Sequence, residues 1–480
     1  MSKVISAGKA VMIGSFVSKG ISIVSSVILA RLLFEEDYGA LVLSAIFAGL
    51  ITQIGGMGYE LFYLQHKGNE EERRKVLEQV FNLRLLTNFL MFVVQTVIGF
   101  YFFIFTENRT TGGILMMMAV SLMLEGFNAP QETLLKDNME FKKITIGNIF
   151  KELFATIGKV VSAFLGFGGY SFGVGPVLGS LVRMFYLRSV QPYRHAYFLW
   201  DKGKIKEIFN FGKHVLFGSV GIYLVQQVDR IFLTLFFPQN IVGRYGFAWG
   251  NAAMPFNYFV MPQQQLIMTY VTRYNAGQIE LFYNLKILKR LISFLNFPIL
   301  TIAILFTEEI VIFLFTDKWL NTVDLIRVIL LYYSILSLIF PFTSILTGLG
   351  RPDIVSKLTL MKGLTLIISL LFIGIYFPDQ ILIYILTYST ISILFDLIKI
   401  FVGISLTGIK FNETLKSFKI DFILIAILII SCILRIEYTD VGTGFSFLIL
   451  ILSFYIFLFL KVNKKETIEA VLVLKNKFFG

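Results

Sequence analysis

Long apolar runs separated by short polar breaks occupy most of the chain. A helix needs about 20 mostly apolar residues to cross a hydrocarbon layer. Fourteen stretches qualify: 10–33, 39–64, 77–105, 113–135, 144–165, 170–189, 212–237, 242–270, 287–315, 325–349, 355–377, 380–406, 420–436 and 443–461. An even number returns both ends of the chain to one side. The breaks on the opposite side are very short, such as FEEDYG (34–39), GFGGY (166–170) and FPDQ (377–380), so no extramembrane domain is expected. The pattern predicts an all-α polytopic membrane protein with about 14 transmembrane helices.

A repeat subdivides these spans. GKAVMIGS (8–15) returns as GKHVLFGS (212–219), and each copy leads through an apolar run to a Tyr-Gly pair, Tyr38-Gly39 and Tyr245-Gly246. Gly8 and Gly212 are 204 residues apart, Gly39 and Gly246 207 apart. Six spans separate the copies, so both halves run the same way through the membrane and are expected to be related by an axis along the membrane normal. The predicted organisation is a six-helix lobe (1–190), a linker (191–211), a second six-helix lobe (212–408), and two extra helices with a basic tail (409–480). In the linker, Tyr197, Phe198 and Trp200 precede Lys202, Lys204 and Lys206, a composition suited to lying on an anionic leaflet.

Composition agrees with a bilayer as solvent: 56% of residues are hydrophobic and 15% charged, where a soluble domain carries about 25% charged. The net charge of +12 would suggest nucleic acid in a soluble protein. Here it is the positive-inside rule, and no nucleic-acid partner is expected. With the N-terminus inside, 31 of the 43 Lys and Arg residues fall on inner loops and ends, against five on outer ones: Arg31, Arg109, Arg244, Lys318 and Arg435. Both termini are thus expected in the cytoplasm, and the first apolar run, interrupted by Lys19, is expected to stay as a span rather than act as a cleaved signal. The single cysteine, Cys432, allows no internal disulfide, and His66, His195 and His214 lack metal-ligand spacing. No cofactor is expected beyond a coupling H+ or Na+.

Charges inside spans are costly unless paired or facing water. At about 1.5 Å per residue, Lys19 lies about 15 Å past Lys9, near the midplane. Arg84 and Lys151 lie about 12 Å from the inner face by the same rise. Glu125 is central, and is open to two readings: a neutral buried carboxyl or a proton site. Glu152 and Lys159 share one face of the fifth helix. Arg183, Lys159 and Arg230 are near enough to helix ends for snorkelling; Asp229 neighbours Arg230, and Arg327 is one turn into its span. Five of the six deeper bases (Lys19, Arg84, Lys151, Lys159 and Arg183) are in the first half, while the copy of Lys19 in the second half is Tyr223. Those five are the expected substrate-binding cations, and Glu125, Glu152, Asp229 and Arg230 are candidates for coupling or ion pairing. A cleft so lined would be net positive and favour phosphate or diphosphate groups.

Residues 25–67, SSVILARLLFEEDYGALVLSAIFAGLITQIGGMGYELFYLQHK, resemble the opening of bacterial polysaccharide-unit flippases, the Wzx-type O-antigen and exopolysaccharide transporters of the MOP superfamily. The likeness rests on Ala30-Arg31-Leu32-Leu33 ending a span, on Glu36-Asp37-Tyr38-Gly39 in the break, and on Gln65-His66-Lys67 at the inner loop. It implies a MATE-like fold of two six-helix lobes around a V-shaped cavity, in a bacterial inner membrane. It also implies an undecaprenyl-diphosphate-linked oligosaccharide as substrate, moved from inner to outer leaflet, with a polysaccharide polymerase and chain-length proteins as neighbours. No site residue is carried over from the resemblance. A MATE-type drug or cation antiporter would need a carboxylate-rich interior, and a lipid II flippase is a further relative. A membrane glycan polymerase or ligase generally needs a sizeable outer loop with catalytic residues, which this chain lacks, so no enzymatic activity is expected. A non-transporting scaffold would have no need for the buried charges.

Overall fold

The computed structural model describes residues 2–193, 195, 200–261, 285, 289, 296–406, 411–437, 442 and 444–455. The linker residues Tyr197 and Phe198, the inner-loop bases Arg273 and Lys286, and the tail from Lys461 onward lie outside the described residues. Among the described residues the chain is helical throughout. The main helices of the first part are α1 (Ser2–Leu32), α2 (Glu35–Gly56), α3 (Tyr59–Gln65), α4 (Glu70–Phe105), α5 (Arg109–Asp137), α6 (Phe141–Phe164), α7 (Ser171–Val190), α8 (Lys202–Gln226), α9 (Val228–Phe236) and α10 (Gln239–Ala252). Then follow α11 (Asn296–Leu305), α12 (Thr307–Phe315), α13 (Val323–Ile339), α14 (Pro352–Tyr376), α15 (Ile381–Ser405), α16 (Phe411–Glu437) and α17 (Gly444–Tyr455). Among the described residues, eight helices are long and apolar enough to cross a membrane, or nine with the bent pair α11 and α12 taken as one. The helices α6 and α7, of 24 and 20 residues, reach about 36 and 30 Å at the helical rise and carry Lys151, Glu152, Lys159 and Arg183. The protein is an all-α polytopic membrane protein. By mutual packing it divides into two units, Met1–Gly246 and Phe247–Gly480.

In the first unit α6 packs between α1 and α7, and α5 between α4 and α7. The α6–α7 contact is close because α7 carries glycine where the helices cross: a Cβ at Gly179 would lie 2.5 Å from the Lys151 carbonyl oxygen. Small residues take this role in membrane helix pairs because lipid provides no hydrophobic drive for association. Helix α4 is 36 residues long, about 54 Å, and so outruns a core of about 30 Å. Asn69 and Glu72 cap its first turn reciprocally. Its overhang packs Val76, Leu77 and Val80 against Tyr59 and Tyr63 of α3 and Ile208 of α8. The linker joins the same cap, where His195 stacks on Phe81 at 3.8 Å between ring centroids.

Several predicted spans are broken. The run 39–64 is two helices, because Met57 and Gly58 adopt positive φ of 38° and 64°, a conformation that glycine tolerates and methionine does not. The run 212–237 breaks at Gln227 between α8 and α9. In the first turn of α2, Asp37 accepts the backbone N–H of Phe34 at 3.0 Å and that of Gly169, in the turn before α7, at 2.7 Å. The two Tyr-Gly copies meet here. Gly243 passes so near α2 that a Cβ would lie 1.8 Å from the Glu35 carbonyl oxygen. Arg244 pairs with Glu35 at 2.7 Å, and Gln239 donates to the Glu36 carbonyl at 2.9 Å. Tyr223, the repeat counterpart of Lys19, donates its hydroxyl to the Ile46 carbonyl at 2.8 Å.

In the second unit α14 packs on α15 and α13 on α15. The helices α11 and α12 meet at 78° around Phe306. Arg435 occupies that bend: its Nε donates to the Leu305 carbonyl at 3.1 Å and its guanidinium pairs with Glu309. Its side chain is 1% exposed, which corrects the expectation that Arg435 belongs to an outer loop. The helix α16 continues to Glu437, and the acid on α12 makes the buried position tolerable.

Candidate functional site

Helix α5 carries a polar stripe: Ser121, Glu125, Asn128, Glu132 and Lys136. Their steps of three or four residues keep them on one face. A continuous run of ion pairs follows this face. Lys151 on α6 lies 2.8 Å from Glu125. Arg183 on α7 spans two carboxylates, reaching Glu125 and Glu132 at 2.5 Å each. Lys136 continues the run to Glu132 at 2.8 Å and to Glu60 on α3 at 3.1 Å. Ser180 donates to Glu125 at 2.9 Å, and Arg183 Nε donates to Asn148 at 3.0 Å. Beside the Lys136 end of the run, Arg73 of α4 pairs with Asp137 at 2.7 Å and lies over the Tyr63 ring.

The run alternates three bases with three acids, so it is neutral as a whole. This revises the expectation that Arg183 offers free positive charge. Its side chain is 6% exposed and its guanidinium nitrogens are engaged by two carboxylates and an amide. Buried guanidinium groups are stable in such settings because the planar fork satisfies several acceptors at once. Lys151 is different: 37% of its side chain is exposed, and its ammonium can turn toward a ligand while Glu125 keeps Arg183.

The other expected site residues are distributed as follows. Lys19 lies on α1, partly exposed. Helix α1 approaches α6 where Gly14 meets Thr145, and both run in the same direction as odd-numbered spans. Five residues on from Gly14 and six from Thr145, Lys19 and Lys151 stand at nearly the same depth, about 8–9 Å further along. Lys159, one face along α6, lays its stem over Gly175 of α7. Glu152 is partly exposed on α6 and forms no ion pair among the described residues. Arg84 donates to the Gly56 carbonyl at 3.2 Å and so caps the end of α2 at its break; it also lines a small pocket with Tyr59, Glu60, Thr133 and Pro130. Asp229, 3% exposed, accepts the Tyr245 hydroxyl at 2.5 Å. Arg230 donates to Gln227 at 3.2 Å. Lys151, Glu125 and Arg183 are brought together, then, and Arg84, Asp229 and Arg230 serve the helix breaks.

Glu132, Glu60 and Asn148 were not among the expected site residues. Glu132 was legible in principle, since it follows Glu125 by two helical turns. Glu60 and Asn148 belong to other helices, and only the fold places them.

A helical membrane protein with a charged run threading one bundle of spans fits the fold found by comparison. The structure is similar to lipid II flippase MurJ in an inward closed conformation, with a TM-score of 0.71, 16% identity, and coverage of 94% of this chain and 98% of that one. It is also similar to an inward-facing multidrug resistance MATE family transporter of the MOP superfamily, with a TM-score of 0.62, 13% identity, and coverage of 82% and 95%. Residues 28–324 match the family described as polysaccharide biosynthesis protein, and the chain belongs to that family. Among characterised relatives, it is 20% identical over 334 residues to the teichuronic acid biosynthesis protein TuaB of Bacillus subtilis (strain 168), covering 67% of this chain and 66% of TuaB. It is 24% identical over 262 residues to the succinoglycan biosynthesis transport protein ExoT of Rhizobium meliloti (strain 1021), covering 52% of this chain and 49% of ExoT. The chain thus spans about half to two thirds of the length of these curated relatives.

Proposed function

We propose that this protein is a flippase that carries an undecaprenyl-diphosphate-linked oligosaccharide from the inner to the outer leaflet of a bacterial plasma membrane by alternating access, with both termini in the cytoplasm. The observation that carries this reading is Lys151: a partly exposed ammonium deep in a membrane bundle, level with Lys19 and held by a neutral ion-pair network. A lysine facing hydrocarbon at that depth is costly, so its exposure points to a water-filled cleft. Sugars and a diphosphate cannot cross hydrocarbon unaided. A cleft with mobile cations lets the diphosphate exchange one set of partners for another while the lipid tail stays in the bilayer. Because Lys151 is shared with Glu125, the anion need only displace a carboxylate, which keeps binding reversible. An inside-negative potential favours outward movement of the anionic head group.

The test is export of the polysaccharide in cells expressing Lys19→Gln, Arg84→Gln and Lys151→Gln variants, singly and together, at matched membrane levels. Loss of export, with lipid-linked units accumulating on the inner leaflet, is the expected result. Full export by the triple variant overturns the reading. The carboxylates of the network, which a cation antiporter would need free, are each paired with a base.

A further inference from the structure

The second unit holds an aromatic group at the edge of its packing core. Trp249 of α10 is the centre. Its ring centroid lies 5.4 Å from that of Tyr388 on α15, 5.8 Å from Tyr332 and 5.9 Å from Tyr333 on α13. Tyr332 also lies 6.4 Å from Tyr388, so the four rings close on one another.

Depth argues that this is not an interfacial belt, where tryptophan and tyrosine sit at headgroup level. Trp249 is ten residues from the start of α10, about 15 Å along a helix, and Tyr332 is nine from the start of α13, about 14 Å. Both are near the middle of a core about 30 Å thick.

Tyr332 and Tyr333 are buried, 7% and 8% exposed, and form the inner side of the group. The neighbouring stack of Phe247 on Trp319, 3.7 Å between centroids, is buried on both sides. Trp249 and Tyr388 are partly exposed, and Gly250 beside them is exposed with no atom within 4 Å of where a Cβ would stand. The cluster therefore has an open edge, with the partly exposed Asn251 at a similar depth. About two turns on, the chain passes into a π-helix at Phe256–Val260, a distortion frequent at functional sites.

The geometry points to a glycan subsite: Trp249, flanked by Tyr388 and Tyr332, stacks against a pyranose ring of the substrate. A pyranose has an apolar face of C–H groups and a rim of hydroxyls. An aromatic plane takes the face, while tyrosine hydroxyls and the indole N–H take or donate hydrogen bonds at the rim. Stacking of this kind tolerates different sugars and binds each weakly, which suits a carrier that must release its cargo. This subsite rests on the flippase reading and deepens it.

The test uses the full-length protein in lipid nanodiscs and two radiolabelled probes: undecaprenyl diphosphate without sugar, and the lipid-linked oligosaccharide fraction extracted from cells lacking this protein. The wild type is expected to bind the oligosaccharide fraction more tightly than the bare diphosphate. Trp249→Leu is expected to weaken the former at least tenfold and leave the latter within twofold. Trp249→Phe keeps a ring and is expected to fall between. Unchanged oligosaccharide binding by Trp249→Leu overturns the subsite, as does equal loss for both probes. A wild type that binds the bare diphosphate but gains nothing from the sugars overturns the subsite and leaves the flippase reading standing. A wild type that binds neither probe overturns both.

Discussion

Glu35 and Arg244 form a 2.7 Å ion pair across 209 residues of sequence. Each stands beside its own copy of the Tyr-Gly repeat, so the pair joins the two repeats at one end of the membrane. Between them Gly243 leaves no room for a side chain against the backbone of α2. Gly243→Val is expected to push α2 and α10 apart and destabilise the fold by about 1–3 kcal/mol, the usual range for overpacking. Denaturant titration in micelles measures this. Gly250→Val, at an open position on the same helix, is expected to unfold like the wild type. Equal stability of the two variants would show that the close approach has no energetic weight.

Arg183 is expected to be the most sensitive position of the ion-pair run. Arg183→Met leaves Glu125 and Glu132 facing each other without their shared cation, a loss of about 3–5 kcal/mol for a broken buried pair. The double variant Arg183→Met, Glu132→Gln leaves the neutral pairs Lys151–Glu125 and Lys136–Glu60 and should recover a large part of that loss. The comparison is made by thermal unfolding of purified variants. A single variant as stable as the double one would contradict the arrangement described here.

Arg435 makes the same kind of prediction in the second unit. Arg435→Leu strands Glu309 and frees the Leu305 carbonyl at the helix bend, and should cost about 3–5 kcal/mol. The double variant Arg435→Leu, Glu309→Leu should be less destabilised than the single one in the same assay. Identical losses would mean that the bend is held by packing alone.

His195 links stability to pH. Burial against Phe81, with Arg188 nearby, lowers its pKa from the ordinary 6.5 to about 4. The folded protein keeps the ring neutral while the unfolded chain takes up a proton near pH 6.5. The contribution is therefore fully present above pH 6.5 and is lost as the pH falls toward 4. Unfolding midpoints between pH 7.5 and 5 should decline more steeply for the wild type than for His195→Phe, which keeps the stack without the proton. Parallel profiles would show that His195 is not the group responsible.

The class of fold was legible because apolar runs report the solvent directly. The breaks were less so. GGMG at 55–58 held a warning in its glycines, yet a run of apolar residues does not show whether a helix turns inside it, as α11 and α12 do at Phe306. The same limit misplaced Arg435, which stands just before the polar stretch from Glu437 to Asp440 but whose partners, Leu305 and Glu309, are more than a hundred residues away. At the charged run, the periodicity of α5 carried Glu125 and Glu132 together. What hid the neutrality was Arg183: a base counted alone reads as free charge, and only the packing of α5, α6 and α7 reveals that it is already held.

Asp37 gives the repeat break a different meaning from a substrate site. One carboxylate fastens the first turn of α2 to Gly169, 132 residues later, and no sugar or phosphate is required for that work. The acidic-Tyr-Gly signature by which such chains are recognised therefore marks their construction. Two transporters could share it to the letter and still carry unrelated glycans, so kinship judged on this segment should be expected to group proteins by architecture while their cargoes diverge elsewhere.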